Sequence, residues 1–387
     1  MKRLVMSQIP FHAVRAWLFE AALPFWAAHG VDRAHGGFLE ELTPDGAPTA
    51  CGFKRVRVIC RQTYAFAHAA ELGWNEGDAL SRMGVDYLVK HARTGDGGWA
   101  KTLTRKGAVR DATADLYDIA FVLFALARRY RVSRDADVLA LMHETLGFVQ
   151  TRMRGPVAGF WHRLPPSEPR LQNPHMHLTE ACLAAFEATQ DQRYLDQARE
   201  LVALFCAHLF DGATLGERFN DDWTRIGGQE GRAVEPGHHF EWAWILAQYQ
   251  RLSGENVTSQ AEALARFGET HGVDAKSAAV FDLIADDGAP LRTSSRTWTN
   301  TERIKAWLAI YELTGRDPTP EVSASLRLIF DRYFASARPG AWVDQFDADG
   351  KPMVEAVPAS IVYHLFLAFA EVLRLEPRLK ASAAQTP

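Results

Sequence analysis

The chain has 387 residues, 47% of them hydrophobic and 23% charged, a balance that supports a buried core and excludes an intrinsically disordered protein. Its formal charge of −4, with no tract of Lys or Arg, gives no basic field for a nucleic-acid backbone. No segment strings together about 18 uncharged apolar residues, and MKRLVMSQIPFHAVRAW lacks the apolar stretch of a signal peptide, so a soluble protein with no membrane partner is expected.

In chain order, AVRAWLFEAALPFWAAH places apolar residues at i, i+3, i+4 and i+7 and predicts a helix near 10–28. GGFLEELTPDGAP follows, alternating apolar with polar residues and carrying the turn signal Asp45-Gly46, which predicts a short β-hairpin. The same grammar then repeats. Helices are predicted near 58–73 and 77–92 before GGWAKTLTRKGAV, and near 114–130 and 136–153 before GFWHRLPP. They follow near 175–189 and 193–209 before GERFNDDW, and near 237–253 and 256–271 before VFDLIADDGAP. The last are near 299–314 and 318–335 before AWVDQFDADGKP, and near 358–375. By subtraction, the marker aromatics Phe38, Trp99, Phe160, Phe219, Phe281 and Trp342 recur at intervals of 61, 61, 59, 62 and 61 residues.

Twelve helices in six hairpin-linked pairs can stack as an open solenoid or close into a ring. An open superhelix needs polar terminal caps, whereas the first helix (Val14, Trp17, Leu18) and the last (Ile361, Leu365, Phe366) are as apolar as the middle ones. The expectation is therefore an all-α (α/α)₆ barrel with short β-hairpin loops, one catalytic domain over residues 1–380 and a disordered tail over 381–387. Cys51, Cys60, Cys182 and Cys206 lie in apolar or helical contexts without Cys-x-x-Cys spacing, which reads as reduced thiols and a cytoplasmic protein. A homo-oligomer is compatible with all of this.

Polar residues at the starts of ring-lining helices need a reason. In QNPHMHLTEA, Asn173, His177 and Glu180 are four and three residues apart, on one helix face or its approach; His238 and Glu241 in EPGHHFEWAW repeat the i, i+3 spacing. With His364, Arg57, Arg61, Tyr117 and Trp298 from other units, they are expected to converge on one cup. Imidazoles suit removal of a proton next to a sugar carbonyl, because their ordinary pKa is near ~6.5. Arg and His donors would stabilise the enediolate, aromatics would stack on the sugar, and Glu and Asn would hold its hydroxyls. That chemistry requires no cofactor.

Plainer readings stand beside this one. His68 and His143 read as surface or core residues, and His175 and His239 as structural neighbours of the faced positions. Trp242 and Trp244 read as core and cannot both face the cup. His175, His177 and His238 could suggest a metal, but the spacing is not the Glu-x-x-His set of di-metal bundles, so no metal is expected. An inverting glycoside hydrolase would need two opposed carboxylates, where histidines dominate here. A non-enzymatic binding role is the third alternative.

QNPHMHLTEA, PGHHFEWAW, TWTNTE and YHLF, in this order and spacing, resemble the N-acylglucosamine 2-epimerase family over essentially the whole chain. The resemblance implies an (α/α)₆ barrel with His238 and His364 as general acid and base, Arg61 on the enediolate oxygens, and Trp298 stacked near the sugar. It also implies that Tyr117, Asn173, His177 and Glu241 contact the substrate or the catalytic histidines. Arg57 stands where many members carry an aromatic, and the segment after Trp298 lacks the proline or second tryptophan of some branches. PASIVYHLF and KRVRV are most similar to the mannose isomerase branch. The implied substrate is a free monosaccharide and the implied reaction mannose to fructose; a 2-epimerase acting on mannose, glucose, N-acylglucosamine or cellobiose is the alternative.

Overall fold

The computed structural model describes residues 8–385. All twelve expected helices form. They are α1 (residues 11–29), α2 (Val56–Glu71), α3 (Glu76–His91), α4 (Leu116–Ser133), α5 (Ala136–Arg152) and α6 (Gln172–Thr189). Next come α7 (residues 192–209), α8 (Pro236–Ser253), α9 (Thr258–Gly272), α10 (Thr297–Thr314), α11 (residues 319–333) and α12 (residues 359–385). A one-turn helix at Gly228–Arg232 has no counterpart in the sequence expectation. The final helix runs to Gln385, so 381–385 of the stretch expected to be disordered is helical, and 386–387 lie outside the described residues.

The even-numbered helices form the inner ring, α2 against α4, α4 against α6, and onward through α8, α10 and α12 back to α2. The odd-numbered helices pack outside them. Local chemistry sets the boundaries: Asp115 caps α4 by accepting from the Tyr117 N–H, Pro236 opens α8, and Gly254 and Gly315 end α8 and α10 in left-handed conformation. From Thr297 to Ile310 every residue of α10 is buried, as a helix enclosed on all sides requires.

Each inner helix is preceded by a short strand that pairs with the hairpin of the next unit. Lys54 pairs with Leu103, Ala114 with Leu164, Leu171 with Arg218, Val234 with Ile284, and Arg296 with Gln345. Leu42 of the first unit pairs with Val357 of the last, which closes the ring. The strands thus stitch neighbouring units together.

Backbone hydrogen bonds also correct the repeat register. In each unit the residue after the marker donates to the end of the preceding outer helix: Leu39 to Gly30, Ala100 to Ala92, Trp161 to Met153, Gly216 to Leu209, Phe281 to Gly272 and Val343 to Tyr333. The equivalent residues are therefore Phe38, Trp99, Phe160, Leu215, Val280 and Trp342, with Leu215 and Val280 replacing Phe219 and Phe281. His175, His239 and Asn300 occupy one further equivalent position. Their side chains accept the N–H of Phe160, Leu215 and Val280 at 3.0, 3.1 and 3.0 Å. Each also donates to the carbonyl four residues back, at 2.9, 3.0 and 2.8 Å. Burial pushes His175 down to about 3 and His239 to about 4, which keeps both neutral for this bridging work.

Candidate active site

A cavity of about 270 Å³ opens where the inner helices begin. It is lined by Arg61, Tyr117, Asn173, His177, His238, Glu241, Trp298 and His364 from the sequence expectation, and also by Glu235, Arg296, Asp344, Pro358, Ser360 and Ile361. Two expected residues stand elsewhere. Arg57 pairs with the buried Asp118 at 2.9 Å and lies over the Tyr117 ring, so it backs the cavity wall. Glu180 sits beneath the cavity, where its two oxygens meet Nδ1 of His177 at 3.1 Å and the hydroxyl of Tyr363 at 2.6 Å. Both were expected to bind substrate because faced spacing shows which side a residue takes, not how deep its end group reaches.

His238 is held at both ring nitrogens. Its Nδ1 stands 3.0 Å from both oxygens of Glu217, and the Asn173 side-chain amide lies 3.2 Å from its Nε2. Glu217 itself accepts from the Gln172 side chain at 2.9 Å and the Glu235 backbone N–H at 3.2 Å, and Gln172 is fixed by the Trp242 indole at 2.8 Å. Burial disfavours the imidazolium, but Glu217, Glu235 and Glu241 outweigh it and raise His238 to about 9. It is the acid.

His364 has the opposite character. Its Nδ1 lies 2.8 Å from Glu302, which leaves Nε2 for the cavity it lines. Burial, then the positive charges of Arg61 and Lys305, hold it well below the ordinary imidazole range. The Trp298 ring neighbours both, its centroid 5.3 Å from His238 and 5.6 Å from His364. Gly237 permits this, since a Cβ there would stand 2.5 Å from the Trp298 ring. Arg61 donates to the Tyr117 hydroxyl at 2.6 Å and to the Ser360 carbonyl at 3.0 Å, and its guanidinium stacks on Phe121.

Sequence reasoning missed Glu217 and Glu302. Glu217 reaches its histidine from the preceding hairpin, 21 residues away, and Glu302 from the neighbouring unit, 62 residues away, so no helical spacing marks either. The usable signal is chemical: a catalytic imidazole needs a group to fix its other nitrogen.

Two sets of side chains bring potential metal-ligand atoms within 4.8 Å of one another: His177, Glu180 and Glu241, and Glu241, Glu302 and His364. His177 already bonds Glu180 and His364 bonds Glu302, and the buried Lys305 ammonium lies 2.7 Å from Glu302, supplying positive charge there. His175, tied to backbone, is no partner for His177 in a ligand set. A larger cavity of about 430 Å³ opens at the other end of the ring, and Trp244 and Glu180 border it. Its Arg128, Arg131, Arg251 and Arg374 are each paired with Glu71, Glu187, Glu312 or Glu371.

A barrel that sets a protonated histidine against a neutral one at its mouth has the frame of a proton-transfer isomerase or epimerase. The chain belongs to the N-acylglucosamine 2-epimerase (GlcNAc 2-epimerase) family, whose model it matches over residues 36–368. It is 34% identical over 368 residues to a mannose-6-phosphate isomerase of Rhizobium meliloti (strain 1021), covering 92% of this chain and 95% of that one. To a D-mannose isomerase of Thermobifida fusca it is 28% identical over 407 residues, covering 96% and 97%. A crystal structure of D-mannose isomerase superposes with a TM-score of 0.87 at 22% identity, over 96% of this chain and 100% of the other. No helix among the described residues is long and apolar enough to cross a membrane.

Proposed function

We propose that the chain interconverts D-mannose and D-fructose as free sugars, by proton transfer through an enediol. The opposed protonation of His238 and His364, both beside Trp298 in one cavity, carries this reading. His364 removes the C2 proton of the open-chain aldose, the C–H electron pair becomes the C1=C2 bond, and O1 takes a proton from His238. The enediol then loses its O2 proton and receives one at C1, giving the ketose. Arg61 and Tyr117 stabilise the developing oxygen charge. A 2-epimerase shares the first step and differs only in returning the proton to C2 from the other face.

The cavity is smaller than the roughly 300–1,000 Å³ usual for drug-sized ligands, which favours a monosaccharide over a disaccharide. The names of the relatives point to mannose as well. Four free cysteines support a cytoplasmic setting. The test is incubation with free aldoses and ketoses in D₂O followed by NMR. Mannose and fructose interconverting with label at C1 and C2 is expected, whereas mannose giving only glucose, or no exchange with any free sugar, rules the proposal out.

A further inference from the structure

Lys305 lies on α10, with its side chain fully buried beneath the cavity and its ammonium 2.7 Å from Glu302 and over the ring of Trp244. Glu302 is equally buried and bonds Nδ1 of His364 at 2.8 Å. Glu217, the counterpart that holds His238, is bonded instead by the neutral Gln172 side chain and a backbone N–H. The two histidines thus carry the same kind of carboxylate support, and one support has a cation behind it.

We propose that Lys305 is a positioning residue for the base: its ammonium offsets the charge of Glu302, so that the carboxylate orients His364 without drawing a proton onto it. A buried lysine is expensive unless paired, and a pair placed one bond from the reacting imidazole gives it a use. Glu302 can then fix the tautomer while His364 stays an available base. The other charges around His364 do not replace this contact. Arg61 on α2 is committed to Tyr117 and Ser360, and His177 and Glu180 on α6 bond each other. His238 on α8 is held by Glu217, Glu241 on α8 lies beside Glu302 and His364 and adds to the negative charge that the ammonium faces, and Tyr363 on α12 donates to Glu180.

The inference rests on His364 being the base, so the experiment runs His364→Ala alongside Lys305→Met and Lys305→Arg and reads kcat and kcat/KM against pH. Lys305→Met leaves Glu302 unopposed and should move the acid limb upward by about 1–3 pH units, with KM changed less than about threefold. Lys305→Arg should return the limb to its wild-type position. A folded Lys305→Met enzyme whose limb has not moved overturns the proposal. Should Lys305→Met fail to fold, Glu302→Gln reads the same coupling from the other side: the unopposed ammonium moves the limb down and lowers kcat, and a limb unmoved or raised overturns it. If His364→Ala keeps wild-type rates, the assignment of the base fails; an inactive His364→Ala beside an unmoved Lys305→Met limb discards the role of Lys305 alone.

Discussion

Glu217 holds Nδ1 of His238 through both carboxylate oxygens at 3.0 Å, from the hairpin that precedes the helix carrying the histidine. With His238 raised to about 9, its imidazole is charged at neutral pH and loses its proton as pH climbs through that value, so the proposed role as acid ends there. The kcat/KM profile should therefore fall on its alkaline side near pH 9. In Glu217→Gln the alkaline limb should move down by about 1–3 units, because the neighbouring opposite charge is gone. The folding contribution of the pair has the same sign: it is complete below the unfolded imidazole value of ~6.5 and is lost as pH rises through the folded one. An alkaline limb that stays in place in the folded variant removes Glu217 from the account.

The proposed proton transfer requires both histidines. His238→Ala and His364→Ala should each lower turnover by about 10²–10⁴-fold, the range for a lost general acid or base, with the fold confirmed by circular dichroism. Near-wild-type rates in either variant would mean that it does not carry a proton in the rate-limiting sequence.

The helices were legible because each buries a stripe that repeats every 3.6 residues, and all twelve form within a few residues of their expected bounds except the last, which runs on. Closure was legible from the apolar first and last helices. The repeat register was less so: Phe219 and Phe281 look like Phe38 in sequence, but backbone hydrogen bonds give that place to Leu215 and Val280. Aromatic identity marks a buried position without saying which one. At the site, residues near helix starts came together as expected. Arg57 and Glu180 did not reach the cavity, because Asp118 and Tyr363 hold them, and those pairings join residues 61 and 183 positions apart.

His175 tests the structural half of that reading. It links the marker Phe160 to the start of α6, and its ring does not line the cavity. His175→Ala should destabilise the protein by about 1–3 kcal/mol by leaving the buried Phe160 N–H unsatisfied, while kcat of the folded fraction stays within about threefold. Urea denaturation and rate measurement on the same preparation separate the two. A stable but inactive variant contradicts the assignment.

Exhaustive EDTA treatment should leave the rate unchanged, because Glu180 and Glu302 already bond His177, Tyr363 and His364, and the Lys305 ammonium supplies positive charge to Glu180, Glu241 and Glu302. Loss of activity on chelation, regained with a divalent ion, would show that a metal displaces those contacts.

Substrate charge remains the sharpest discriminator, because one relative bears the name mannose-6-phosphate isomerase and another D-mannose isomerase. A phosphate is usually held by backbone N–H groups at a helix start or by arginines free to bond it bidentately. Here the two cavity arginines are engaged. Arg61 bonds Tyr117 and Ser360 at the reacting end, and Arg296 pairs with Asp282 at 2.9 Å and Glu235 at 3.2 Å. Arg57 is held by Asp118, and Lys54 by Asp32 at 3.1 Å. Glu235 and Asp344 add negative charge to the lining, and burial pushes Asp344 up to about 6, so its carboxyl is largely ionised at pH 7.5 and repels a dianion. Free mannose should therefore show the higher kcat/KM in direct competition with mannose 6-phosphate at pH 7.5. If the phosphorylated sugar wins, Arg296→Ala should abolish that advantage, and the arginine would have to leave Asp282 and Glu235 to bind it.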